Sequence, residues 1–126
     1  MVSAVIGEKP YKTELFASGH QLIADEPVEI GGGDEGPPPG QFLELSLASC
    51  TAITLRMYAI RKSLSLKNIR VEVQSERTSD NTIFRMEIYL EGEITDEQRT
   101  RLLQIAKACP VHKTLTKPIA IETTLK

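Results

Sequence analysis

The sequence carries no excess of either charge. Its 15 basic and 17 acidic side chains leave a formal charge of −2, so there is no broad basic field of the kind that holds nucleic acid. Long hydrophobic runs are missing too. The apolar stretches are broken by Glu44, Arg56 or Arg61, short of the roughly 20 residues needed to span a bilayer, and the expectation is no membrane partner. Residues Met1 to Lys12 lack the apolar segment of a secretory signal, which points to a cytoplasmic location. Cysteine is scarce as well. Two in 126 residues are too few for a disulfide scaffold, and a merely structural bridge would stay reduced in that compartment. What remains is ordinary globular composition, 40% hydrophobic and 25% charged, at a length that suits a single domain over residues 1–126.

Along the chain, Tyr11 to Ala17 and His20 to Ala24 read as two strands around a Ser18-Gly19 turn. Val28 to Ile30 reads as a third, short strand. Gly31 to Gly40 (GGGDEGPPPG) is the one low-complexity stretch, a connector that glycines loosen and prolines then stiffen. It fits neither nucleotide-binding glycine pattern, and its two carboxylates would repel a phosphate. From about Pro39 to Lys62 the residues Phe42, Leu43, Leu47, Cys50, Ile53, Thr54, Met57 and Ile60 recur at helical steps. The other positions are also largely small or apolar, so this helix is expected to be buried on several sides, with a second subunit supplying part of the cover.

Lys67 to Glu76 and Thr82 to Glu91 alternate with period two and form a strand pair. Thr95 and Gln98 then make a capping-box pattern ahead of a helix that ends near Cys109-Pro110. A short turn, Val111 to Leu115, leads to a final strand, Ile119 to Thr124. The order β-β-(β)-α-β-β-α-β makes an α+β fold.

Chemistry is concentrated in the two thiols. Cys50 lies mid-helix, where the macrodipole does little and only neighbours can lower its pKa; by itself it reads more readily as a packed hydrophobe than as a reactive thiol. Cys109 precedes a proline able to serve as the first residue of a new turn, which puts the thiol at an N-cap among free N–H groups. His112, three residues on, offers positive charge or a proton carrier. The alternative is that Cys109-Pro110 simply ends a helix and His112 is solvated. A metal site from Cys109, His112, Cys50 and His20 would need four separated residues to converge, and neither metal nor cofactor is expected.

The segment Gly36 to Arg56 (GPPPGQFLELSLASCTAITLR) resembles the GPxPxxLLLxALxSCTAxTLR signature of the OsmC/Ohr family, and Asp96 to His112 (DEQRTRLLQIAKACPVH) resembles that family's second cysteine motif. Both blocks stand in the right order, and the similarity covers nearly the whole chain. The resemblance implies an OsmC-like fold, an intertwined homodimer with a long central helix, and peroxide reduction at the subunit interface under oxidative stress. In that chemistry the Cys50 thiolate attacks a peroxide oxygen and becomes a sulfenic acid. Cys109 condenses with it to a disulfide, which an external dithiol reductant resets. Phe42, Leu47, Ile53 and Met57, with Phe16, would line an apolar pocket favouring an organic hydroperoxide.

The match departs from the family's peroxidases at two places. Those pair the reactive cysteine with an arginine on an N-terminal strand and a glutamate just after the motif's proline. Here no arginine precedes Arg56, and Gly40 and Gln41 follow Pro39; the chain looks closer to the branch marked by SCTAxTLR and CPVHKTL. Glu44, Arg56, His112 and Lys12 are the substitute activating groups that the sequence offers. The competing readings are an OsmC-fold module that holds a small apolar ligand between inert thiols, and a redox sensor with little turnover.

Overall fold

Ser18 and Gly19 set the first hairpin. In the computed structural model, which describes Met1 through Lys126, both take positive φ, 51° and 80°, as a two-residue hairpin turn requires. They fold β2 (Thr13–Ala17) onto β3 (His20–Ala24), with Ala17 opposite His20. An additional strand that the sequence did not announce, β1 (Val2–Ile6), pairs antiparallel with β2 and completes a sheet in the order β1-β2-β3. The expected strand at Val28–Ile30 is instead a 3-10 turn closed by Gly31 at φ 100°. The Ile30 and Gly32 N–H groups donate to the Pro27 carbonyl and the Gly31 N–H to the Val28 carbonyl, so the segment closes on itself as a turn instead of pairing with a sheet.

The connector Gly31 to Gly40 is pinned to the end of β3. Asp25, 2% exposed, accepts the Glu26 N–H at 2.8 Å on one carboxylate oxygen and the Glu35 N–H at 3.1 Å on the other. Its own N–H donates to the Pro37 carbonyl. The backbone comes so close that a Cβ at Gly32 would overlap the Glu26 carbonyl, and one at Gly36 the Ile23 carbonyl. Glycine is therefore needed at both for close approach. Those N–H groups hold the Asp25 carboxyl below its ordinary value: the Glu26 amide contributes most, burial opposes it, and the amides of Glu35 and Gly33 and the Lys12 charge add to it. Residues 1–43 form one compact unit and residues 44–126 a second, the boundary falling within the long helix α1 (Pro39–Arg61).

In the second unit, α1 is followed by the hairpin of β4 (Ser65–Arg77) and β5 (Thr82–Glu93), then by α2 (Asp96–Ala106) and α3 (Pro110–Leu115). The hairpin runs in register from Ser65–Glu93 to Arg77–Thr82, broken once between Leu66 and Asn68. Both strands extend beyond the expected limits. The capping box at α2 is fully formed, with the Gln98 N–H on the Thr95 hydroxyl at 3.1 Å and the Thr95 N–H on the Gln98 side chain at 2.9 Å. The core gathers Leu55 and Ala59 of α1, Leu66 of β4, and Leu102 and Ala106 of α2.

Within the single chain, α1 buries only Leu47, Thr51, Leu55 and Ala59, a single stripe at four-residue steps. It leaves Ile53, Met57 and Ile60 exposed at 60%, 58% and 70%, the side for which a second subunit is the expected cover. One expectation is corrected here. The final strand Ile119–Thr124 does not form, and Ile119, Ile121 and Leu125 stand exposed. An alternating pattern supplies one face of a strand but not its hydrogen-bond partner. The sequence also understated the apolar length of α1. As a 23-residue helix with a mean hydropathy of 1.2 over its best 18 residues, it is long and apolar enough to cross a membrane by length and composition alone. However, Leu55 and Ala59 of this helix belong to the core, and its charged Glu44 and Arg56 bond to groups of the same unit.

Candidate functional site

The middle of α1 and the start of α3 bring Cys50 and Cys109 together. Pro110 cannot donate a backbone hydrogen bond and suits the first helical position, so α3 starts there with Cys109 as N-cap. The Cys109 sulfur accepts the His112 N–H at 3.5 Å. Cys109 is completely buried, Cys50 half-buried, and both are free thiols. Each thiol bears on the acidity of the other, and the Val111 N–H bears on both.

This arrangement separates the two thiols in acidity. Burial pushes Cys50 up, and so do the hydrogen bond to Cys109 and the charge that Cys109 carries when ionised; the Val111 N–H and the Thr54 hydroxyl only partly oppose this. Burial also pushes Cys109 up, but the Cys50 thiol, the His112 N–H, the Thr51 hydroxyl and the Val111 N–H together outweigh it. The net result is a Cys109 thiol below its ordinary value beside a Cys50 thiol above it. When the pair loses one proton, the charge is favoured on Cys109.

The substitute activating groups lie elsewhere. The Arg56 guanidinium donates to the Leu66 carbonyl at 2.7 Å and the Lys67 carbonyl at 3.4 Å, and so holds α1 to the first turn of β4. Glu44 accepts from the Ser75 N–H at 2.8 Å and the Ser75 hydroxyl at 2.6 Å, tying α1 to the other end of that strand. Lys12 pairs with Glu35. Of the groups proposed from sequence, His112 alone reaches a thiol, and it does so through its backbone N–H. No cation stands among the groups that act most strongly on either sulfur.

The expected pocket residues do not converge within the chain. Leu47 lines a pocket of about 190 Å³ with Thr82, Phe84, Met86, His112, Leu115 and Thr116. Ile53 and Met57 instead border an open groove with Ala52, Arg56, Asn68 and Ile69, because they project from α1 about half a turn away from the buried stripe. Phe42 and Phe16 border neither. Sequence reasoning missed Thr51, Thr54 as a partner of the thiols, and the Val111 amide. Spacing signalled Thr51 alone, since it falls four residues after Leu47 and four before Leu55 on the buried stripe. No group of three or more His, Cys, Asp or Glu side chains converges to hold a metal ion.

Comparison with known proteins identifies the family and the fold. The family model described as OsmC-like protein matches residues 31–124, a span that contains both thiols. No curated protein matches the chain. Among solved structures, an OsmC-like protein from Mycoplasma pneumoniae superposes with a TM-score of 0.79 at 19% identity, over 91% of this chain and 85% of that one. An organic hydroperoxide resistance protein OsmC from Legionella pneumophila, described as a predicted redox protein, gives 0.62 at 19% identity, over 92% and 88%. An organic hydroperoxide resistance protein from Elizabethkingia anophelis with thiocyanate bound gives 0.66 at 14% identity, over 91% and 86%. At such identities the likeness establishes a shared α+β fold, and together with the family match it places this chain in the family of OsmC-like proteins.

Proposed function

We propose that this chain is a thiol-dependent redox protein that reduces organic hydroperoxides through Cys50 and Cys109, working as a homodimer. The observation that carries the reading is a pair of free thiols that bear on each other, one sulfur buried and the other half-buried. Family membership and the names of the Legionella and Elizabethkingia structures support it.

The geometry divides the labour between the sulfurs. Cys50 is the accessible one, but burial and its neighbour keep it protonated. Cys109 is the better base but lies out of reach of a bulky peroxide. As Cys50 sulfur attacks the distal peroxide oxygen, its proton passes to the Cys109 thiolate, and the O–O bond breaks. The alkoxide takes a proton and leaves as alcohol, so Cys50 is oxidised to the sulfenic acid while the peroxide is reduced. Cys109 sulfur then displaces hydroxide from that sulfenic acid, forming the Cys50–Cys109 disulfide and water. An external dithiol returns both sulfurs to thiols by exchange. The pocket that Leu47, Phe84 and Met86 share with Thr82, His112, Leu115 and Thr116 is the proposed seat for the organic group of a hydroperoxide.

A second copy of the chain is the proposed cover for the exposed Ile53, Met57 and Ile60 face of α1, and a cytoplasmic location fits a cycle that depends on an external dithiol. The test is turnover of cumene hydroperoxide with a dithiol reductant, together with intact mass. The expected result is loss of two hydrogens on oxidation, no turnover in Cys50→Ser, and one oxidation event without turnover in Cys109→Ser. Equal activity in Cys50→Ser and the parent would refute the assignment. Free thiols that persist under excess peroxide, together with a ligand-dependent rise in Tm, would favour the small-molecule module; the missing cation near the thiols is the observation on its side.

A further inference from the structure

Thr51 is fully buried on the inner stripe of α1, and its hydroxyl has no hydrogen-bond partner of full geometry. This is unusual in two ways. A threonine inside a helix ordinarily disposes of its hydroxyl on the carbonyl one turn earlier, and the Leu47 carbonyl is available in that position. A buried hydroxyl without a partner is also costly and uncommon in folded proteins. The polar atom that the Thr51 hydroxyl does influence is the Cys109 sulfur, itself 0% exposed.

We propose that Thr51 is a positioning residue whose hydroxyl is held ready for the Cys109 thiolate and closes its hydrogen bond when that sulfur becomes charged. A neutral thiol is a weak acceptor and does not draw the hydroxyl into full geometry. A thiolate is a charged acceptor, and charge-assisted hydrogen bonds are shorter and stronger. The donor is thus unsatisfied in the protonated state and satisfied in the ionised one, so it favours ionisation. Water cannot take its place, since both groups are buried. The hydroxyl acts through Cys109 and needs no contact with peroxide. Its importance for turnover rests on the redox reading given above, but its effect on the sulfur does not.

The test therefore reads the sulfur directly. In a Cys50→Ser background the ultraviolet absorbance of the thiolate reports Cys109 alone, and the serine hydroxyl stands in for the Cys50 donor. Adding Thr51→Val, which keeps the shape of the side chain, should raise the midpoint of that titration by about one unit, a roughly tenfold loss of thiolate below the midpoint. Adding Thr51→Ser instead should restore it. An unchanged midpoint in a valine variant that melts at or above its parent's Tm would overturn the inference, because removing an idle buried hydroxyl is neutral or stabilising. If peroxide turnover fails in the wild-type chain while the valine shift and serine rescue hold, the redox reading falls and the role of Thr51 stands.

Discussion

Two thiols that bear on each other's acidity do not titrate independently. The first proton leaves the pair early, because the remaining charge settles on Cys109 among its donors; the second leaves late, because Cys50 must ionise beside an existing charge. For stability the two signs differ. The depressed Cys109 contributes stability that is present above its unfolded pKa and lost as pH falls through the folded one. The raised Cys50 contributes stability present below its unfolded pKa and lost as pH rises through the folded one. Thiolate absorbance in the wild-type chain should accordingly rise in two steps that straddle the ordinary thiol range. In Cys109→Ser a single step should remain, moved down from the late one because the neighbouring charge has gone. A single step for both sulfurs at the ordinary thiol pH would show that they do not interact. The Cys109-Pro110 pair was legible as an N-cap because proline chemistry is local. Thr51 was not, since burial and a missing partner are properties of the folded chain.

Arg56 and Glu44 show how an element can claim residues that the sequence offers to a site. Each projects from α1 and bonds to β4, Arg56 at Leu66 and Lys67 and Glu44 at Ser75. Replacing Arg56 by methionine should lower stability by about 1–2 kcal/mol, the range for losing a charged hydrogen bond that is partly exposed, read as a lower urea midpoint. The rate of thiol oxidation should stay within about twofold, since the group lies apart from the sulfurs; a loss of roughly tenfold in that rate would return Arg56 to the site. The same contrast explains which elements were readable. Period-two alternation fixed β4 and β5, and the Thr95–Gln98 capping box fixed the start of α2, because these signals reside in neighbouring residues. The strand expected at Ile119–Thr124 failed because a strand is completed by a partner that its own residues do not name. In α1 nearly every position is apolar, so helical spacing allowed several buried faces, and the core selected the Leu47, Thr51, Leu55 and Ala59 stripe.

For the whole molecule, the question is what covers the apolar surface that the single chain leaves open. Ile53, Met57 and Ile60 make a row along α1, and Ile119, Ile121 and Leu125 lie in a tail without regular structure. A contiguous exposed apolar face marks an interaction site rather than ordinary surface scatter, and a symmetric second copy is the simplest partner for one. Sedimentation should therefore give twice the 14.0 kDa of the chain at micromolar concentration, and placing glutamate at both Ile53 and Met57 should halve that mass. A stable wild-type monomer would count against the dimer. The glutamate variant carries a second comparison. Both thiols and their N–H donors lie within residues 44–126 of one chain, so its two-step thiolate titration should survive dissociation. Its preference for cumene hydroperoxide over hydrogen peroxide should weaken if the partner helix completes the substrate pocket. Loss of the two-step titration in the monomer would mean that the partner also sets the acidity of the sulfurs, and the division of labour between Cys50 and Cys109 would then belong to the dimer.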